Sequence, residues 1–200
     1  TLLQSETDAG RRAQLEELRQ TALESQDTLR RLRAFAGQRR SRREWLDLNG
    51  LARDVAGVLQ SGLKSADIAC ELRLAEGLPK VMADQTQMQQ VILNLLQRAR
   101  QAVEESAGAR RIAIQTEAAG DMARLSIIDN GPTPDAAMLA RLFEAPAGDA
   151  PAEATASLYV CRGIVEAHGG TMAAQAGPAG VGVRVTVELP AGVSHAARGL

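Results

Sequence analysis

Between Gln85 and Asn130 the chain carries the residue types from which a nucleotide pocket can be built. The run Q-T-Q-M-Q-Q-V-I-L-N-L-L-Q-R-A-R-Q-A-V sets Met88, Val91, Ile92, Leu95, Leu96, Ala99, Ala102 and Val103 on one face at helical spacing. Asn94 sits among them as a polar residue beside an apolar stripe. Further on, Leu125, Ile127 and Ile128 read as a buried strand that ends on Asp129 at the turn D-N-G. A carboxylate accepts hydrogen bonds from an amino group, and an amide oxygen suits a metal or phosphate neighbourhood. The combination points to a pocket in which Asp129 reads a base and Asn94 lies near phosphates or metal. Taken alone, a strand-end Asp is as often a turn former.

The elements that must position these residues follow from period and punctuation. Trp45, Leu46 and Leu48 read as a short strand, with Asn49 as the N-cap of a helix that buries Leu51, Val55, Val58, Leu59 and Leu63. Residues 69–74 alternate, with Cys70, Leu72 and Leu74 on one side, and residues 81–83 form another strand before Asp84 caps the central helix. Residues 111–116 and 122–129 are two strands joined by A-A-G-D. Pro134 and Asp135 open a short helix that runs to Phe143. Residues 145–156, rich in Ala, Pro and Gly, read as a mobile loop, and Leu158 starts the last helix. A strand from Thr171, the turn G-P-A-G and the alternating Val181, Val183, Val185, Val187 and Leu189 complete the chain. Helices mixed with antiparallel hairpins predict an α/β sandwich, one mixed sheet with helices on one face.

Ahead of this lies a different element. Leu15, Leu18, Ala22, Ser25, Leu29, Leu32 and Ala36 follow steps of three and four, a heptad seam that predicts a long coiled-coil-type helix in a helical hairpin or dimer. The basic run R-R-S-R-R over residues 39–43 reads as a solvated hinge, or as a contact surface for an acidic partner. The division is therefore residues 1–43, 44–192 and a tail at 193–200.

Composition narrows the classes. With 45% hydrophobic but only 2% aromatic residues, the core must be Leu, Val, Ile and Ala. A net charge of −1 argues against a nucleic-acid surface. No apolar run reaches the roughly 18 residues of a membrane span, and no signal peptide opens the chain. Cys70 and Cys161 read as two buried thiols in a reducing cytoplasm. A chain that opens on Thr1 is expected to be part of something longer. His168, before Gly169-Gly170, reads as a capping or turn residue, and His195 lies in the polar tail.

The motifs in their order resemble the ATP-binding catalytic region of sensor histidine kinases, the GHKL type of ATPase. Q-V-I-L-N-L-L-Q-R-A-R-Q-A-V is similar to that family's N box, D-N-G-P to its G1 box and R-L-F-E, with Phe143, to its F box. L-Y-V-C-R-G-I-V-E-A-H-G-G-T-M, from Leu158, is similar to the helix and turn after its G2 box. The resemblance implies that Asp129 accepts from the adenine amino group and that Gly131 lets backbone approach the base. It implies ATP and Mg as cofactors. For residues 1–43 it implies the second helix of a dimerisation and phosphotransfer domain, hence a homodimer, and a response regulator receiver domain contacting residues 30–43. The site set is Asn94, Arg98, Asp129, Gly131, Thr133, Phe143 and Leu158.

This sequence departs from the pattern where phosphate and metal should sit. The magnesium ligand one turn after Asn94 is replaced by Arg98, and a guanidinium cannot ligate a cation. Arg98 is expected to contact phosphate, or to pair with Asp129 or Glu144 and fill the site. Thr133 replaces a second glycine, between Pro132 and Pro134. Where the family cradles phosphate on a glycine-rich loop, this chain has E-A-T-A-S-L, with Glu153 adding negative charge. The family's phosphoacceptor His belongs to a helix upstream of the residues present. These departures lead to a pseudokinase or phosphotransfer scaffold in the cytoplasm, on its own or as the cytoplasmic part of a membrane-bound sensor. The alternatives are an active kinase binding ATP without metal, and an anti-sigma or partner-switching module, against which the heptad helix argues.

Overall fold

The computed structural model describes residues 42–106, 108–144 and 152–192, with the backbone alone for 152–157. The expected coiled-coil helix, the tail with His195 and most of the expected mobile loop lie outside these residues.

Asp47 ends the first strand, β1 (Arg43–Leu46), and starts the first helix, α1 (Leu48–Ser65), by accepting from the Asn49 backbone N–H at 2.9 Å. Leu48 is thus helical and buried, and the expected N-cap, Asn49, is already inside the helix. The reason is tertiary. The Asn49 amide donates to the Ala75 carbonyl at 2.8 Å and accepts from Thr116 Oγ1 at 2.7 Å, while Thr116 Oγ1 accepts from the Ala75 N–H at 2.9 Å. This closed polar set satisfies the buried groups and pins the helix to the sheet. Along α1, Leu51, Val55 and Leu63 are buried as expected, but Val58 is 78% exposed because it lies to the side of their stripe.

Strand β2 (Ile68–Arg73) and strand β3 (Val81–Asp84) precede the central helix α2 (Gln85–Glu104). The hairpin β4 (Arg110–Ala119) and β5 (Met122–Asp129) is followed by the short helix α3 (Ala136–Arg141). Then come α4 (Ala152–Ala167), β6 (Thr171–Ala176), a 3-10 turn over Pro178–Gly180 and β7 (Val183–Pro190). The five-stranded sheet has the order β2-β4-β5-β7-β6, parallel between β2 and β4 and antiparallel elsewhere, and β1 pairs with β3 in a separate ribbon. Val181 falls in the turn before β7 and is exposed, rather than opening the strand.

Strand alternation separates two faces of the sheet. Ile112, Ile114, Leu125, Ile127, Val183, Val185, Val187 and Leu189 are buried in one core with the stripe of α2. The opposite face is polar: Arg124 pairs with Glu188 and Glu117, Arg184 donates to Gln115, and Ser126 bonds Thr186. The helices therefore lie on one side of a mixed sheet. No helix among the described residues is long and apolar enough to cross a membrane.

Helix α4 begins at Ala152, six residues ahead of the expected start at Leu158. The residues A-E-A-T-A-S contain no glycine and include strong helix formers, so nothing stops the helix from extending backwards. At its other end, His168 is buried: Nδ1 donates to the Ile164 carbonyl at 2.8 Å and Nε2 accepts from the Asp84 N–H at 3.1 Å. Asp84 in turn caps α2, its Oδ1 accepting from Gln87 N–H at 3.0 Å and its Oδ2 from Arg42 N–H at 3.0 Å. One carboxylate thus ties the entering chain to the central helix. Asp84→Ala should cost about 1–2 kcal/mol of unfolding free energy, typical of a lost N-cap. Urea denaturation checks this, and an unchanged midpoint would show that the cap contributes nothing.

Candidate nucleotide site

Asp129 is the last residue of β5 and lies on the core face, beneath the second half of α2. Its side chain is only 1% exposed, so both oxygens need partners. Oδ1 accepts from the Gly131 N–H at 3.0 Å and from the Val183 N–H at 3.3 Å. Oδ2 accepts from Arg98 Nη1 at 2.6 Å. Burial pushes the Asp129 carboxyl above its ordinary value, outweighing the opposing pull of the Arg98 charge and of the two backbone N–H groups.

Of the two protein partners expected for Arg98, it pairs with Asp129, while Glu144 bonds Arg141 instead. The Arg98 side chain is 12% exposed and closes over the carboxylate that the family resemblance assigns to base reading. Nη1 makes its only hydrogen bond among the described residues. Asn94, one turn earlier, does not turn towards Asp129. Its amide donates to Cys161 Sγ on α4 at 3.5 Å, and burial pushes that thiol up to about 11.

The turn after Asp129 is held by contacts that sequence reasoning did not anticipate. A Cβ on Gly131 would stand 2.7 Å from the Ala102 carbonyl oxygen, so this glycine is required for the turn to reach the backbone of α2. Thr133 Oγ1 donates to the Gly180 carbonyl at 2.9 Å and accepts from the Gly182 N–H at 2.8 Å. Gly182, at φ +70, lets the strand entering β7 cross directly over the Asp129 carbonyl. The pattern G-x-G at Gly180 and Gly182 was the available signal for this second turn. Phe143 and Leu158 are both buried in the core.

These residues do not fit a magnesium ion. Arg98 stands at the position where the resemblance calls for an oxygen ligand.

The fold and the site together define a known class. The family model for histidine kinase-, DNA gyrase B- and HSP90-like ATPases matches residues 83–193, more than half of the chain, and the chain belongs to that family. It is 28% identical over 177 residues to the sensor protein FixL of Bradyrhizobium diazoefficiens, covering 88% of this chain and 35% of FixL. The chain spans about a third of the length of FixL, and 20% and 17% of two further sensor proteins. Among solved structures, full-length ShkA in complex with AMPPNP superposes with TM-score 0.66 at 25% identity, over 76% of this chain and 32% of ShkA. The histidine kinase ThkA in complex with the response regulator TrrA has the same fold, with TM-score 0.70 at 23% identity, over 86% of this chain and 49% of ThkA.

The buried pair makes a prediction with a defined pH dependence. Arg98→Ala leaves a buried carboxylate without its counter-charge and should cost about 3–5 kcal/mol near pH 7. An Asp whose folded-state value is raised contributes most below its unfolded value of about 3.9, and that contribution is lost as pH rises through the folded value. The variant's deficit should therefore shrink as pH falls and Asp129 takes a proton. Urea titrations of both proteins at about pH 7 and pH 5 measure this, and an equal deficit at both would rule out charge as its cause.

Proposed function

We propose that this chain is the C-terminal part of a two-component sensor histidine kinase whose ATP site is impaired or lost. It works as a pseudokinase and phosphotransfer scaffold that docks a response regulator receiver domain. The observation that carries this reading is the Arg98–Asp129 ion pair, which occupies the base-reading carboxylate from inside the protein. The helical backbone over residues 152–157 supports it, because beyond its first turn a helix bonds its amides internally and leaves no open loop of backbone N–H groups to wrap phosphate. His168 is engaged on both ring nitrogens, so it is no phosphoacceptor. Phosphate would reach a histidine on the dimerisation helices from another kinase. In the assembly, residues 1–43 supply the homodimer contact and residues 30–43 the regulator contact, within the cytoplasm.

A second reading has its own observation. Arg98 uses Nη1 alone among the described residues, which leaves Nη2 and Nε for a phosphate oxygen. The domain would then bind ATP without metal and remain an active kinase.

Thermal melting with ATP and with ADP, each with and without magnesium, separates the two. A ligand that binds the folded state stabilises it by RT ln(1 + [L]/Kd), so millimolar nucleotide with a micromolar Kd raises the melting temperature by several degrees. The scaffold reading expects no shift in any condition. A shift without magnesium establishes the second reading, and a shift that requires magnesium overturns both.

A further inference from the structure

The contact that fills the pocket also assigns a role to one side chain. Reading adenine requires an acceptor for its amino group, and Asp129 Oδ2 is the oxygen of this carboxylate not already held by backbone N–H groups. Arg98 takes that oxygen and presents N–H donors in its place. A donor facing an amino group leaves both unpaired, and such mismatches in buried sites discriminate strongly. The backbone around that oxygen is fixed: the Gly131 turn lies against Ala102, and the Asp129 carboxylate is held in position by Gly131 and Val183.

We infer that Arg98 is the specificity-determining residue of this pocket. It inverts the polarity of the base-reading position from acceptor to donor, and its removal restores recognition of a 6-aminopurine. This deepens, and rests on, the reading that the wild-type site is filled. Position 98 is also where the resemblance places a magnesium ligand, so the comparison is made without magnesium and reads only the edge of the base.

The experiment compares ADP with inosine diphosphate, which carries a carbonyl oxygen where ADP has its amino group, on the full chain without magnesium. Arg98→Asn should gain a melting shift of about 2–4 °C with millimolar ADP. It should favour ADP over inosine diphosphate at least tenfold in calorimetric Kd, and Arg98→Asn/Asp129→Asn should lose that preference. A merely loosened pocket would take both nucleotides alike, and equal affinities overturn the inference. So does a folded Arg98→Asn that binds neither. Where Arg98→Asn does not fold by itself, Arg98→Gln is measured in the same way. Where neither folds, the assay becomes recovery of native circular dichroism on refolding, with recovery by ADP and not by inosine diphosphate supporting the inference and no recovery overturning it. Wild type that binds ADP overturns the filled-site reading itself. Wild type that does not, beside a folded variant that does not, leaves that reading standing and removes only the role of Arg98.

Discussion

A negative charge with almost no access to water sits at the end of β5, and the local architecture is the set of contacts that make it tolerable. Isolated in a low-dielectric interior, a carboxylate costs several kcal/mol. Asp129 meets that cost with the Arg98 guanidinium and two backbone donors, Gly131 and Val183. Each donor belongs to a different segment: the helix α2, the turn after β5 and the start of β7. Satisfying one side chain therefore fixes three pieces of backbone relative to one another. Thr133 repeats the arrangement on a smaller scale, its hydroxyl bridging the turn at Gly180 and Gly182.

The central helix can meet Asp129 because its packed face and its first turn are both fixed. Its stripe from Met88 to Val103 packs on the sheet, so the helix cannot rotate without exposing Leu95 and Leu96. Its first turn is capped by Asp84, whose own N–H is held by His168 at the end of α4. That packing carries Arg98 to Asp129 rather than leaving it as an exposed helical charge. The same framework in a relative with a small polar residue at position 98 would leave the carboxylate open. What lies over this carboxylate therefore depends on the side chain at position 98, in keeping with the rule that function resides in sites rather than in folds.

The start of α4 shows the same economy in backbone terms. A loop that binds phosphate through bare amides needs glycine, both for its dihedral angles and to stop the helix from propagating. With Ala and Glu in those places, residues 152–157 are helical, and past the first turn the amides bond within the helix.

Much of this was legible in the sequence because it is local. The 3.6-residue stripe of α2, the alternation in β4 and β5, and the cap Asp84 depend on neighbours within a few residues, and each appears where the pattern put it. The turn at Asp129 was legible for the same reason. Tertiary structure alone decided the partners. Asn49 looked like a cap until Thr116, 67 residues away, drew its side chain inward. Val58 had an apolar identity, but only the direction of packing placed it in water. Gly131 was read as space for a base, yet the backbone it must approach is that of Ala102. The choice of Arg98 between Asp129 and Glu144 was the same kind of question. Periodicity states which face a side chain is on, whereas the identity of the group across the gap depends on how separately formed elements pack.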